Sequence, residues 1–364
     1  MTHKEAPMKE IDKSKPVMVT GATGYLASWV VKKLLEEGIN VNATVRDPSN
    51  VQKVEHLTAL AKASTGKLRL FKADLLDSGS FDEPMQGCEL LIHTASPFFL
   101  AQPKNPEEEL LRPAKEGTRN VLEAAKGTPT VKRVVLTSSV AAIYGDFADI
   151  KSAPGGVFTE KEWNVTSNAA HLPYSYSKTI AEKEAWAIAG KQDRWDLLTI
   201  NPAVILGPSV SKRTDSYSIS AMIHLGDGTY KDGVPDMWLS LVDVRDVASA
   251  HIKAGFTPKA SGRHIIASGE ATFLDLANIL RKQFGDAYPF PRKQVPKFLV
   301  WLLAPKVGFT RKFVSRNVGY HARFDNSYGK ADLGMSYTPV EQTVKEHFQQ
   351  ILDDGLLQKR ARAR

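Results

Sequence analysis

Residues 16–27 read Pro16-Val17-Met18-Val19-Thr20-Gly21-Ala22-Thr23-Gly24-Tyr25-Leu26-Ala27, and this stretch decides the fold. The apolar run Pro16 to Thr20 predicts a short buried strand. From Tyr25 to Glu37, Leu26, Trp29, Val30 and Leu34 fall on one helical stripe, with Gly38 as the stop. Between strand and helix lies a glycine turn. Gly21 permits the tight turn, and Gly24 lets the backbone approach a pyrophosphate, which then rests at the positive helix end. Ala27 stands where a third glycine is common; its role is close helix-to-sheet packing, which alanine allows. A glycine pair alone is a weak signal, because such turns cap many strands. Set after the first strand of an α/β pattern, it points to a dinucleotide.

Outward from this turn the alternation continues. Strands are predicted at Val41 to Arg46, Leu68 to Lys72, Leu90 to His93, Arg133 to Ser138 and Leu197 to Asn201. Helices are predicted near Val51 to Ala63, Glu107 to Ala125 and Tyr174 to Ala189. Strands alternating with helices predict an α/β protein: a Rossmann-type, doubly wound parallel sheet with helices on both faces. The rhythm loosens after Pro202 and returns with a strand at Trp238 to Val242 and a helix from Val247. Phe273 to Phe284 and Pro339 to Leu352 read as helical. The expected organisation is a charged leader (1–15), a nucleotide-binding domain (16–207, with 237–255 returning to it) and a smaller, mostly helical substrate-binding lobe (208–236 and 256–356). A basic tail (357–364) completes it.

Composition narrows the function classes. The 364 residues suffice for a large core, and the apolar and charged fractions are ordinary for a globular chain. Of the net charge of +8, Lys359, Arg360, Arg362 and Arg364 supply half. No basic, aromatic-interleaved stripe accompanies them, so nucleic acid is not an expected partner. The single cysteine, Cys88, cannot form an intrachain disulfide. Met1 to Lys15 has no apolar core of a secretory signal, and the longest hydrophobic run, Phe298 to Ala304, is too short to span a bilayer. The expectation is a cytoplasmic monomer or homodimer acting on a small molecule, with no membrane partner. The N-x-T sequons at Asn42 and Asn164 are read as chance matches. The histidines show no metal-ligand spacing, and no G-x-S-x-G elbow is present.

The end of the second predicted strand distinguishes NAD from NADP. An acid there accepts from the ribose hydroxyls, while arginine suits a 2′-phosphate. Here Thr44-Val45-Arg46-Asp47 is followed by Lys53. Arg46 and Lys53 suit the phosphate, and Asp47, just before Pro48, suits a turn cap. NADP(H) is the expected cofactor.

Tyr174 and Lys178 lie four residues apart in Tyr174-Ser175-Tyr176-Ser177-Lys178, hence on one helical face, with Pro173 as a favourable first-turn residue. A phenol of pKa ~10 is a reluctant proton donor. A nearby ammonium favours the phenolate; reaching neutrality would need roughly 3 pKa units, or about 4 kcal/mol. Tyr-x-x-x-Lys alone occurs by chance in many helices, and Tyr176 lacks a lysine at that spacing. What raises Tyr174 is Thr137-Ser138-Ser139, closing a predicted strand where α/β sheets place ligand-binding groups. A hydroxyl there can donate to a developing alkoxide; for either serine alone, strand capping is the plainer role.

These motifs resemble the extended short-chain dehydrogenase/reductases, in the branch of dihydroflavonol reductases, cinnamoyl-CoA reductases and related aldehyde and ketone reductases. The resemblance runs from about Pro16 to Leu356. It takes in VRDP at Val45 to Pro48, ADL at Ala73 to Leu75, HTASP at His93 to Pro97, NPAVILGP at Asn201 to Pro208 and VDVRDVASAH at Val242 to His251. It implies Ser139, Tyr174 and Lys178 as a catalytic triad, with Lys178 also holding the nicotinamide ribose. It further implies Gly21, Thr23, Gly24, Tyr25 and Leu26 at the glycine turn, Asp74 and Leu75 beside the adenine, and Thr94, Ala95 and Ser96 along the cofactor's middle. Pro202, Val204 and Ile205 would face the nicotinamide. Asp243 and Asp246 are read as structural caps. Phe98, Phe99 and Met222 are apolar walls for substrate or ordinary core.

Two departures bear on substrate. Leu172-Pro173-Tyr174-Ser175 replaces the Asn-Trp-Tyr-Cys run of plant cinnamoyl-CoA reductases, which speaks against a CoA thioester. Val140-Ala141-Ala142-Ile143-Tyr144 lacks the asparagine that plant dihydroflavonol reductases carry after the serine pair, which speaks against a flavonoid. The expected activity is NADPH-dependent reduction of a bulky or aromatic aldehyde or ketone. A sugar-nucleotide epimerase or dehydratase shares the fold and the Tyr-Lys pair but would favour an acid over Arg46. A non-catalytic NADP-binding sensor would not need the proton donor.

Overall fold

The computed structural model describes residues 9–96 and 104–358. The first eight residues of the leader, Phe98 and Phe99, and the basic residues from Lys359 onward lie outside the described residues.

The central sheet is built from β1 (Val17–Thr20), β2 (Val41–Val45), β3 (Leu68–Lys72), β4 (Leu90–His93), β5 (Arg133–Thr137) and β6 (Asp196–Pro202). Three short strands follow, β7 (Val204–Leu206), β8 (Val234–Pro235) and β9 (Trp238–Asp243), and then β10 (Gly262–Ile266) returns to the central sheet. Its order is β10-β6-β5-β4-β1-β2-β3, with every pairing parallel. Such a sheet is covered on both faces, so its strands carry continuous apolar runs. Alternate residues of β1 serve the two sides: Val17 and Val19 join one core cluster, Met18 the other.

The helices are α1 (Tyr25–Glu36), α2 (Val51–Ala63), α3 (Asp82–Met85), α4 (Arg112–Gly127), α5 (Pro173–Ala189), α6 (Tyr217–Asp227) and α7 (Val244–Phe256). Helices α1 and α7 pack together on one face, α4 and α5 on the other. A π-helical turn, Glu107–Leu111, leads into α4. At the end of α1, Gly38 takes φ +78°, as its role of stop requires.

Strand β9 does not enter the central sheet. It lies between β7 and β11 (Gly269–Thr272) in a three-stranded sheet, while the helix after it, α7, packs on α1. β12 (Gln294–Val295) pairs with β8. The remaining helices are α8 (Phe273–Phe284), α9 (Lys297–Leu303), α10 (Arg311–Asn317), α11 (Ser327–Leu333) and α12 (Val340–Asp353). A third core cluster joins α6, α8 and α12 through Leu225, Leu276, Leu280, Phe348 and Ile351, and Met222 is buried within it. Met222 is therefore core rather than a substrate wall. Among the described residues no helix is long and apolar enough to cross a membrane.

Candidate active site

The glycine turn closes between β1 and α1. The Gly24 N–H donates to the Gly21 carbonyl at 2.9 Å, and Ala22 N donates to Thr44 O at 2.9 Å, seating the turn on β2. Gly21 has φ +65°, and a Cβ there would sit 3.0 Å from the Ala95 Cβ. Glycine is thus required twice over, for the left-handed backbone and for the close approach of the β4 end. Thr20 ties the two strand ends together: its Oγ1 accepts from Thr94 N at 3.1 Å and from Ala95 N at 3.0 Å. A turn that admits no side chain at Gly21, at the N-terminus of a twelve-residue helix, fits a pyrophosphate.

At the end of β2, Arg46 and Lys53 are exposed and form no salt bridge among the described residues, although Lys53 attracts the Asp215 carboxylate at longer range. Asp47 accepts from the Ser49 N–H at 2.9 Å and from its hydroxyl at 2.6 Å. Those bonds lower its pKa and close a turn, the role of a cap. Asp74 likewise caps a turn by accepting from Leu76 N at 2.9 Å. Leu75 packs on Gly117, and its carbonyl accepts from Asn120 Nδ2 at 2.8 Å. The donor set at this end is cationic, which suits a 2′-phosphate.

Tyr25 and Leu26 enter α1 directly from the turn. The Tyr25 hydroxyl donates to the Gly207 carbonyl, and its ring stacks on His347 at 6.4 Å. Trp29 Nε1 donates to Pro208 O at 2.7 Å. These bonds hold the segment after β7 against α1. Arg213, in the same segment, donates to the carbonyl of Thr23 at 3.0 Å and pairs with Asp215 at 2.8 Å. Sequence reasoning did not find Arg213, because it lies in a stretch without periodicity.

Helix α5 begins with Leu172 in the left-handed conformation (φ 59°, ψ 55°), the one non-glycine residue with positive φ among the described residues. Pro173 follows at the first helical position, and the Leu172 carbonyl already accepts from Tyr176 N at 3.0 Å. This sharp entry aims Tyr174 back towards the end of β5. There Ser139, extended at φ −165°, caps a short 3-10 turn by accepting from Ala141 N at 3.1 Å. Ser139 also hydrogen-bonds Tyr174. Tyr174 is 39% exposed, and desolvation of its phenol raises the pKa, opposed by the Ser139 bond.

Lys178, one turn on, is 8% exposed. Its Nζ donates to Ser96 Oγ at 3.1 Å, joining α5 to the β4 end. Burial lowers its pKa to about 8, against the attraction of Glu182, which raises it. The expected depression of the tyrosine by the lysine is not the net shift here. Burial and Ser139 dominate Tyr174, while the lysine is directed to Ser96. Ser139, Tyr174, Lys178 and Ser96 nevertheless form one polar cluster where β4, β5 and α5 meet.

The adjacent serine faces the other way. Ser138 donates to Glu182, a side chain 1% exposed. Glu182 also accepts from Arg263 Nε at 2.6 Å, Asn201 Nδ2 at 2.8 Å and Thr199 Oγ1 at 3.3 Å. Arg263 sits on β10, so this carboxylate links α5, β5, β6 and β10 behind the tyrosine. Sequence reasoning missed it. Its one signal was its spacing, four residues after Lys178 on the same helical face.

Pro202 ends β6, and Val204 and Ile205 begin β7, half-buried. Beyond Ser139, a small recess is lined by Val140, Tyr144, Val204, Trp238, Leu239 and Phe324, among others. The Tyr144 ring packs against Phe147 and Phe158 at 5.6 Å and against Phe324 at 5.3 Å. Trp238 stacks on His321 at 4.2 Å. Asp243 accepts from Arg245 N at 2.8 Å as the cap of α7, and Asp246 accepts from Thr338 N at 2.6 Å, so both are structural. No group of three or more potential metal ligands occurs among the described residues.

The model of the NAD dependent epimerase/dehydratase family matches residues 17–267. Among known proteins, tetraketide alpha-pyrone reductase 1 of Arabidopsis thaliana is 39% identical over 346 residues, 94% of this chain and 96% of that one. Cinnamoyl-CoA reductase CAD2 of Medicago truncatula is 38% identical over 334 residues, 91% and 93% of the two chains. Among solved structures, yeast methylglyoxal/isovaleraldehyde reductase Gre2 complexed with NADPH superposes with a TM-score of 0.76 at 28% identity. That match covers 94% of this chain and all of the other.

Proposed function

The chain belongs to the NAD dependent epimerase/dehydratase family, and from that footing we propose that it reduces a bulky or aromatic aldehyde or ketone, with Tyr174 as proton donor. The protein is an NADP(H)-dependent oxidoreductase acting on carbonyl and alcohol groups, and the relatives named above are reductases. NADPH, when bound, supplies the hydride.

The chain's own residues do the rest. The glycine turn at Gly21 and the cations Arg46 and Lys53 would hold the pyrophosphate and the 2′-phosphate. Thr94, Ala95 and Ser96, tied to Thr20 and Lys178, would line the cofactor's middle. Ser139 hydrogen-bonds the carbonyl oxygen as charge develops on it. Tyr174 delivers its proton to that oxygen, and Lys178 steadies the phenolate left behind. The observation that carries this reading is the Ser139–Tyr174 hydrogen bond one helical turn from the buried ammonium of Lys178. The choice of a bulky or aromatic substrate rests on the likeness to a cinnamoyl-CoA reductase and a tetraketide alpha-pyrone reductase.

The test is loss of NADPH absorbance with a panel of aldehydes, ketones and CoA thioesters. Turnover is expected on aromatic carbonyls, and Tyr174→Phe should lower it about 100-fold or more while leaving NADPH binding intact. Full turnover by that variant would refute the assignment of the proton donor. Preference for thioesters over free carbonyls would refute the substrate class.

A further inference from the structure

The longest hydrophobic run in the chain has no place in the reduction, and it does not lie in the core. Helix α9 has no buried residue. Phe298 is 68% exposed and Leu302 55%, and Leu299, Trp301, Leu303 and Phe309 are also exposed. Together they present on the order of 500 Å² of apolar surface, the size at which a patch on a single chain marks an interaction site. Val300, Ala304 and Phe313, with Val314, Val318 and Met237, form the small apolar core of this corner, and Arg316 and Asn317 tie α10 to Asp146.

The sequence that carries the patch has charge of one sign. From Arg292 to Arg316 there are seven basic residues (292, 293, 297, 306, 311, 312 and 316) and no acidic one. Arg316 is engaged by Asp146 and Asp149, and Arg292 by Asp286. Lys297 donates to the carbonyls of Ser315 and Val318, and the Arg311 guanidinium lies 4.4 Å from the Trp301 ring centre. Lys293, Lys306 and Lys312 are exposed and have no carboxylate partner among the described residues.

We propose that the corner formed by α9 and α10 docks the protein on an anionic lipid surface. Phe298, Trp301 and Leu302 enter the headgroup boundary, and Lys306, Arg311 and Lys312 face the lipid charge. Seven residues of helix cannot span a bilayer, but an apolar helix with a basic rim is suited to lie in its interface. A second copy is the poorer occupant. A two-fold interface would set this basic rim against itself, at an electrostatic cost.

The experiment is flotation of the full chain with vesicles of phosphatidylcholine alone or mixed with phosphatidylserine. Binding is expected to the mixed vesicles only, weakening as salt rises. Each lysine near an anionic surface is worth about 1 kcal/mol, so Lys306→Gln with Lys312→Gln should lower partitioning about 30-fold. Phe298→Ser with Leu302→Ser should lower it about tenfold or more. Unchanged NADPH-dependent turnover of a water-soluble carbonyl shows that both variants are folded. The proposal is overturned by equal binding to both vesicle types, or by no binding to either. It is equally overturned by a concentration-dependent dimer in sedimentation that Phe298→Ser with Leu302→Ser abolishes.

Discussion

Lys178→Met should stabilise the protein while disabling it. The lysine ammonium, ordinarily titrating at 10.5, is held at about 8 by burial. At about 1.4 kcal/mol per pKa unit, carrying that charge at pH 7 costs the native state about 3 kcal/mol. Methionine keeps the volume and removes the charge. The lost hydrogen bond to Ser96 costs about 1 kcal/mol in return, so the variant should be more stable by about 2 kcal/mol at pH 7. The pH dependence carries a definite sign. The folded-state value lies below the unfolded one, so between about 8 and 10.5 the unfolded chain binds more protons. Wild-type stability therefore rises with pH through that window, and the advantage of the variant fades across it. Urea unfolding of both proteins at pH 7 and pH 9.5 measures this, and NADPH turnover should fall about 100-fold or more. A variant less stable than wild type at pH 7, or a difference that does not change with pH, would refute the reasoning.

Glu182→Gln keeps the shape of the buried carboxylate but leaves Arg263 without its counter-charge. Urea unfolding should register a loss of about 3–5 kcal/mol. Because the attraction of Glu182 raises the Lys178 pKa, the variant should also move the alkaline limb of the activity profile to lower pH; an unmoved limb would make Glu182 purely structural. Arg46→Ser with Lys53→Ser should lower kcat/KM for NADPH roughly 10- to 100-fold, with NADH little affected. Equal losses with both cofactors would argue against contact with the 2′-phosphate.

Local signals made much of this protein legible in its sequence. The strand–glycine turn–helix of residues 16–37 depends on neighbouring residues only: an apolar run, a glycine that must take positive φ, a stripe at helical period. The same holds for Tyr174 and Lys178, whose separation of one helical turn is a property of any helix, and for Asp47, which caps its own turn. The alternation of strands and helices implied a parallel sheet because parallel strands need crossovers. Tertiary structure decided what depends on distant partners. Ser138 and Ser139 are adjacent and chemically alike, yet successive residues of an extended chain point to opposite sides, so one meets Glu182 and the other Tyr174. Met222 could have been wall or core until α8 and α12 packed around it. Strand β9 carries the same kind of apolar pattern as the central strands, and only its pairing partners put it in a separate sheet. The Lys178 pKa likewise comes from burial, and the exposure of α9 from how little packs against it. Pattern and spacing act along the chain; burial and charge act through space, and they took their values only once distant segments met.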